Sequence, residues 1–379
     1  MELERYQFTK DDTTLMKGLA ILLMLAHHLW GFGDRLVSEL PMVSVTARGM
    51  EFTGLIGGYG KICVSMFMFL GGFGTYLWYT REKADWFSKI RKLYLSYWKV
   101  FFVFVPIGFL LTIIRGGVQR DYCADTVICH VFDEFHLSQF LANLIGIASD
   151  YNREWWFFGS YLAVLAAFPI IAELIRRNSF GINLWIVCLY QILSMYVFPA
   201  LLSEQYFPAL EGSWLYRALI CQSAPWAACF WCGCVFAKDH LLEHLRKHLD
   251  QSGILHPVIA VVVLTGIFML RQFVVGAELD VFYVPFMCVY ATLLADKMGI
   301  LKKVVLELGR QSTKMWLLHS FLIYYFYETA RVILSVRHVL LVYVLFVAAS
   351  YAAACGVDGM YGWMGRGYIY LKLQKKNHT

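Results

Sequence analysis

The stretch T-L-M-K-G-L-A-I-L-L-M-L-A-H-H-L-W, residues 14–30, decides the fold class of this chain of 379 residues. Its only acidic or basic side chain, histidines aside, is Lys17, and one helix of this length can cross the roughly 30 Å hydrocarbon layer of a bilayer. The whole chain has the same character, since 59% of its residues are hydrophobic and only 16% are charged. A soluble core of this size cannot bury so much apolar surface, so we predict an all-α, polytopic membrane helix bundle.

Ten apolar runs are long enough to form transmembrane helices. They cover residues 14–30, 61–79, 94–114, 155–174, 182–202, 217–236, 255–273, 279–294, 315–334 and 339–355. An eleventh run, residues 137–148, is short and interrupted. If this run does not cross, the basic connectors and both termini lie on one face, as the positive-inside rule requires. We therefore expect cytoplasmic termini and a segment 137–148 that is re-entrant or lies at the outer interface.

The charges between the apolar runs indicate membrane orientation rather than nucleic-acid binding, because the 33 basic residues form short clusters and no stripe. Residues 1–379 are predicted to form a single membrane domain without an appended soluble domain. Two connectors, residues 86–92 and 241–249, have the pattern of amphipathic surface helices. Cys123 and Cys129 fall in the longest predicted outer loop, where they could form a disulfide or stay as two free thiols.

The first apolar run contains the most informative polar side chains. Lys17 and His28 are eleven residues apart, so they project from one helix face about 16 Å apart along the axis. Such residues are costly in lipid and mark function by default, although a polar cap at the outer interface is the simpler alternative. His27 points about 100° away from His28, so the two histidines have different environments.

Two further clusters are candidates for chemistry. In S-K-I-R-K-L-Y, residues 88–94, the side chains of Lys89, Arg91 and Lys92 can clamp phosphates or simply anchor the helix at the cytoplasmic headgroups. In L-E-L-G-R-Q-S-T-K-M-W-L-L-H, residues 306–319, His319 lies inside the membrane, either functional or packed between helices.

Local signals in the second of these clusters predict a helix boundary. Gly309 is expected to end the preceding basic segment, and Ser312 or Thr313 to cap the ninth transmembrane helix. Further along the same run, Glu328 and Arg331 are three residues apart and can neutralise each other.

The outer end of the fourth run, N-R-E-W-W-F-F at residues 152–158, adds Glu154, Trp155 and Trp156 as candidates. The tryptophans are typical of interfacial anchors, and such a platform also holds sugar rings. Arg271 and Asp280 flank a short outer turn and are expected to form an ion pair.

These patterns resemble the acyltransferase-3 family of bacterial membrane acyltransferases, along nearly the whole chain. The family's opening helix has a basic residue, usually arginine, followed eleven positions later by a histidine, and Lys17 and His28 match it. A basic pair before L-Y is matched by Lys89 and Lys92. The pattern L-G-x-x-S-x-x-x-x-L-x-H is matched by residues 308–319, and N-R-E-W-W is similar to the family's aromatic fourth-helix segment.

The resemblance implies a ten-helix enzyme of the bacterial cytoplasmic membrane. It would transfer an acetyl group from cytoplasmic acetyl-CoA to a hydroxyl of an extracytoplasmic or lipid-linked glycan, such as a capsule or exopolysaccharide. His28 would act as general base or carry a transient acyl group, with His27 and Lys17 beside it in the catalytic set.

The same resemblance implies the binding roles. Lys17 would hold the donor chain, while Lys89, Arg91 and Lys92 would bind the nucleotide phosphates. No metal is predicted. Expected partners are membrane lipids, the acyl donor and the glycan, with a homo-oligomer or a glycan-assembly complex as a further option, and no nucleic acid.

Two other function classes fit the composition. Transporters and flippases for a glycan, lipid or amino acid also place histidines between polytopic helices, for proton coupling. Against this class, the chain shows no internal repeat and few acidic residues within its apolar runs. A non-catalytic scaffold in a glycan-assembly complex would make the histidines structural.

Overall fold

A computed structural model describes residues 3–43, 46–47, 50–82, 86–117, 121–201 and 224–377. Across these ranges the regular structure is helical, apart from two strands of two residues each. Thr46–Ala47 (β1) pairs antiparallel with Met50–Glu51 (β2). The all-α prediction is therefore confirmed for the described residues.

The helices that precede the first long gap in the description follow one another in this order: α1 (Lys10–Gly31), α2 (Phe52–Gly60), α3 (Ile62–Glu82), α4 (Phe87–Ile114), α5 (Thr126–Cys129), α6 (Leu137–Leu144), α7 (Trp156–Arg177), α8 (Phe180–Ile192) and α9 (Phe198–Leu201). Those that follow it are α10 (Ala224–Lys238), α11 (Leu241–Gln251), α12 (Pro257–Phe273), α13 (Asp280–Ala295), α14 (Ile300–Ser320), α15 (Tyr327–Leu334) and α16 (Val339–Asn377).

Seven helical segments of the described chain are long and apolar enough to cross a membrane. They are Glu4–Gly31, Phe52–Arg81, Phe87–Ile114, Arg153–Arg177, Phe180–Leu201, Ala277–Ala295 and Val339–Gly365. Each overlaps one of the ten predicted runs, so the chain is a membrane protein. The total of ten spans and the cytoplasmic position of the termini remain predictions.

The three other predicted runs differ from simple spanning helices. The run 217–236 is described only from residue 224, where α10 begins, and the run 255–273 forms α12, which has 17 residues. The predicted ninth helix, residues 315–334, is wrong in both its start and its continuity. Its helix begins at Ile300, widens to a π-helix over Phe321–Tyr325, and breaks where Phe326 adopts an extended conformation before α15.

The segment that follows α5 turns back within the bundle. Helix α6 has eight residues, about 12 Å, and is too short to cross a bilayer. Tyr97 lies about 15 Å along α4 from the first residue of that helix. Its Oη donates a hydrogen bond to the carbonyl of Asn143 at 2.6 Å. The chain then returns to Arg153, whose guanidinium pairs with Asp125, just before α5. The segment therefore packs into the bundle without crossing it, and its position relative to the membrane, re-entrant or at the outer interface, stays a prediction.

Glycines allow α1 and α14 to pack backbone against backbone. A Cβ atom on Gly309 would lie 1.9 Å from the carbonyl oxygen of Thr14, and one on Gly18 would lie 2.0 Å from that of Val305. Gly309 therefore sits in the middle of α14 as a packing residue, as small residues do between membrane helices. The predicted helix end at Gly309 and cap at Ser312 or Thr313 are wrong, because α14 continues through all of them.

Two other local predictions are corrected by long-range contacts. Residues 87–92 are the first turns of the continuous helix α4 rather than a separate surface helix, whereas 241–249 does form a helix, α11. Glu328 pairs with Arg115, the residue that follows α4, and not with Arg331. These differences arise because a single sequence shows periodicity along the chain but not the partner across it.

The predicted ion pair between Arg271 and Asp280 is present. Arg271 Nε lies 2.7 Å from Asp280 Oδ1, and Ser65 Oγ donates a hydrogen bond to the same carboxylate at 2.5 Å. Arg271 and Asp280 are 8% and 0% exposed, so the pair lies inside the bundle rather than on the surface that the sequence indicated. Removal of either partner would leave a buried charge, which is strongly destabilising.

Candidate active site

A cavity of about 450 Å³ lies where the end of α1, the start of α3, the residues just before α7 and α14 meet. Its polar walls are formed by His27, His28, Arg35, Lys61, Ser149, Arg153 and Glu154. Its aromatic walls are formed by Phe32, Phe67, Trp156, Phe157, Trp226 and Trp316. This volume and lining are typical of a small-molecule site.

His28 is held in this cavity by the helix that carries it and by neighbouring rings. Its side chain is 9% exposed and stacks on Phe32, with ring centroids 5.6 Å apart and planes at 16°. Tyr324 donates a hydrogen bond to the backbone carbonyl of His28, which ties the end of α1 to the π-helix after α14. The Nδ1 atom of His28 is buried and has no hydrogen-bond partner within the described structure.

Glu154 places a carboxylate beside His28. Its Oε2 lies 3.5 Å from His28 Nε2, and its side chain is only about 7% exposed. Two contacts of its neighbours fix this position: the Asn152 side chain accepts a hydrogen bond from Glu154 N, and Trp155 Nε1 donates one to Leu317 O at 2.8 Å. The turn that carries Glu154 is thus fastened to α14.

Arginine side chains balance the charge of the carboxylates around the cavity. Arg35 Nη1 donates to Glu154 Oε1 at 2.9 Å, and Arg35 Nε lies 3.8 Å from Asp125 Oδ2. Arg153 also pairs with Asp125. These four charged groups join the loop after α1, the loop before α5 and the turn before α7 into one network at the cavity wall.

His27 lines the same cavity but points toward α2. Its Nδ1 lies 2.6 Å from the carbonyl oxygen of Gly57, and because a carbonyl only accepts, Nδ1 carries the proton. The different environment expected for the two histidines is therefore observed. His27 packs edge-on against His28, with ring centroids 5.1 Å apart.

His319 lies directly behind His28. Their ring centroids are 4.7 Å apart, and His319 is fully buried. Its Nδ1 bonds to the Trp316 carbonyl at 2.7 Å, while its buried Nε2 has no hydrogen-bond partner among the described residues. Ser312 is also buried, two turns earlier on α14, and does not line the cavity.

The two tryptophans of residues 152–158 have different positions. Trp155 is 1% exposed and packs on Tyr97 and Phe101, so its predicted role as an interfacial anchor is wrong. Trp156 lines the cavity, where its ring is available to a ligand.

The predicted donor-binding cations lie apart from the cavity. Lys17 is half-buried on α1, and Lys89 donates hydrogen bonds to Gly74 O and Thr75 Oγ1 of α3 at 3.3 and 3.2 Å. Arg91 and Lys92 are exposed at the start of α4. Of this basic cluster, Arg91 and Lys92 are therefore the side chains open to a ligand, while Lys89 braces α4 on α3.

Sequence reasoning missed three charged residues that line the cavity, Arg35, Lys61 and Arg153, and also Asp125, which pairs with the two arginines. All four lie in connectors or at helix ends, where charged residues are common and carry no signal of their own. The one local indication is that of Arg153, which is adjacent to Glu154 in the N-R-E-W-W stretch.

A model of the acyltransferase-3 family, described as an acyltransferase domain, matches residues 12–355. The chain belongs to the acyltransferase-3 family. Neither a curated protein nor a solved structure gives a match. Membership of the acyltransferase-3 family, together with the seven apolar helices, indicates a membrane acyltransferase. The family match includes every residue that lines the cavity.

Proposed function

We propose that this membrane acyltransferase transfers an acetyl group from cytoplasmic acetyl-CoA to a hydroxyl of an extracytoplasmic or lipid-linked glycan, with His28 as general base. The observation that carries this proposal is the position of His28, buried at a cavity wall beside the Glu154 carboxylate. A neutral imidazole beside a fixed carboxylate is suited to accept a proton.

The reaction then proceeds as a single displacement. His28 takes the proton of the acceptor hydroxyl while that oxygen attacks the thioester carbonyl carbon. The C–S bond breaks, the new C–O ester bond forms, and the leaving thiolate receives the proton from the imidazolium. Glu154, 3.5 Å from His28 Nε2, stabilises the transient positive charge on the ring. Arg35, paired to the same carboxylate, keeps it from rotating away.

The donor and the acceptor approach the site from opposite faces in this proposal. Lys17 lies on the face of α1 that carries His28, about 16 Å nearer the N-terminus, and contacts the donor arm. Arg91 and Lys92 bind its nucleotide phosphates at the cytoplasmic surface. The aromatic walls of the cavity, including Trp156 and Trp226, stack against sugar rings of the acceptor.

The test is label transfer by the purified protein. Wild-type protein in liposomes is given acetyl-CoA with a labelled acetyl group and crude envelope glycan, and label in the glycan is measured. Transfer that needs the protein supports the proposal. Label that accumulates inside the vesicles without entering the glycan would instead support a transporter. Mass spectrometry of envelope glycans from cells with and without the protein identifies the acceptor.

A further inference from the structure

We propose that the acceptor carries an anionic group, a carboxylate or a phosphate, and that Lys61 binds it. This inference rests on the proposed function and names the acceptor's chemical class. Lys61 lines the same cavity as His28 and lies at the junction between α2 and α3.

The charge balance of the cavity singles out Lys61. The cation of Arg35 is paired with Glu154 and lies close to Asp125, and that of Arg153 is paired with Asp125. Among the described residues the Lys61 ammonium has no ion-pair partner, and its Nζ lies 5.6 Å from the centroid of the Trp226 ring. Among the residues that the structure describes, the cavity therefore holds one positive charge, that of Lys61, without a paired anion.

Backbone contacts hold Lys61 at a fixed place relative to His27 and His28. A Cβ atom on Gly60 would lie 2.4 Å from the carbonyl oxygen of Leu23, so α2 and α1 are in direct backbone contact just before Lys61. The hydrogen bond between His27 and Gly57 adds a second tie between the same two helices. The side chain of Lys61 is exposed, so its ammonium is free to meet a ligand.

The surroundings of Lys61 favour an anionic sugar over a small anion. Trp226 lies under the ammonium, and Trp156 and Trp316 form further aromatic walls of the cavity. Aromatic faces stack on the C–H groups of sugars, while an ammonium forms strong hydrogen bonds with carboxylate or phosphate oxygens. The anion is either a uronate on the sugar or a phosphate of a lipid carrier.

Matched acceptor pairs test the inference. The first pair is a disaccharide with terminal glucuronate and its glucose counterpart, and the second is a sugar on a short polyprenyl phosphate and the same sugar on an uncharged alkyl chain. We expect wild-type protein to prefer the charged member of one pair, which identifies the source of the anion. Lys61→Gln should raise the KM for that acceptor about tenfold, as expected for loss of a charge-assisted hydrogen bond, and leave the KM for acetyl-CoA unchanged.

Lys99→Gln is the matched control. Lys99 also lies 5.6 Å from an aromatic ring, that of Tyr361, and does not line the cavity. We expect this variant to retain wild-type KM values for both substrates.

Three outcomes would overturn the inference. They are equal use of charged and neutral acceptors by wild type, the same KM in Lys61→Gln, and an increase confined to the KM for acetyl-CoA. If wild type transfers label to no acceptor, titration of tryptophan fluorescence with the four compounds still measures binding. A charged compound that binds wild type about tenfold tighter than Lys61→Gln supports the anion site even if the proposed acyl transfer fails.

Discussion

Glu154 and His28 meet in the cavity although 126 positions separate them along the chain: Oε2 of the carboxylate lies 3.5 Å from Nε2 of the imidazole. The turn that carries Glu154 is fastened to α14 through Trp155, and the end of α1 is tied to the following π-helix through Tyr324. The packing of these elements therefore sets the distance between the two groups.

Glu154→Gln should slow acyl transfer while the protein remains folded. The amide keeps the size of the carboxylate and loses the charge that stabilises the imidazolium of His28. We expect kcat to fall by about tenfold, less than the roughly 10²- to 10⁴-fold contributed by a general base itself. The measurement is the initial rate at saturating donor and acceptor. Glu173→Gln is the control, because Glu173 also forms ion pairs with arginine, namely Arg176 and Arg177, but far from the cavity. Equal rates in both variants would remove Glu154 from the mechanism.

Gly309→Ala should destabilise the bundle. The new Cβ would lie 1.9 Å from the Thr14 carbonyl oxygen, so α1 and α14 must separate. Overpacking of this kind typically costs about 1–3 kcal/mol. Thermal unfolding in detergent measures the loss. Gly356→Ala, on a helix where a Cβ meets open space, should unfold at the wild-type temperature or above. A wild-type Tm for Gly309→Ala would show that the helices are not in backbone contact.

Cys123 should react slowly with alkylating reagents in the reduced protein. Burial and the neighbouring Cys129 thiol, with Sγ atoms 3.5 Å apart, raise the pKa of Cys123 to about 12. Because the thiolate is the reactive form, the alkylation rate should rise about tenfold per pH unit between pH 7 and 9. Mass spectrometry after timed labelling measures this rate. Fast labelling at pH 7, equal to that of the unfolded chain, would contradict the raised pKa.

His130 should make the stability of the loop that follows α5 depend on pH. Its ring lies between Asp133 and Asp121, at 2.6 and 2.9 Å, and these carboxylates raise the pKa of His130. Because its pKa is raised in the folded state, protonated His130 stabilises the folded state at pH values below its unfolded-state pKa. This contribution is lost as the pH rises through the folded-state pKa. His130→Asn should therefore lower the Tm slightly at pH 5.5 and leave it unchanged at pH 9. The effect is small because the pair is exposed. A larger loss at pH 9 would contradict the sign.

The sequence allowed prediction of the parts of this site that are unusual where they stand. A histidine at the end of an apolar run is costly in lipid, so His28 was evident from one sequence. Glu154 was a candidate only through its aromatic neighbours, and Arg35 was not a candidate at all. Their contact joins residues 119 positions apart, and no local pattern encodes such a distance.

The incorrect predictions about the fold have the same origin. Gly309 resembles a helix end when only its neighbours in sequence are considered, and it becomes a packing residue once Thr14 is beside it. The helix breaks at Phe326, within an apolar run, and no nearby proline or glycine predicts this break. Hydropathy identifies which segments are apolar, whereas their continuity depends on the helices that surround them.

The transfer rate of His28→Ala tests the central claim most directly. His248→Ala, on the exposed side of α11, serves as the matched histidine control, and unfolding curves confirm that both variants are folded. We predict that label transfer from acetyl-CoA falls by about 10²- to 10⁴-fold in His28→Ala and stays at the wild-type rate in His248→Ala. Folded His28→Ala protein that transfers the acetyl group at the wild-type rate would contradict the assignment of His28 as the general base.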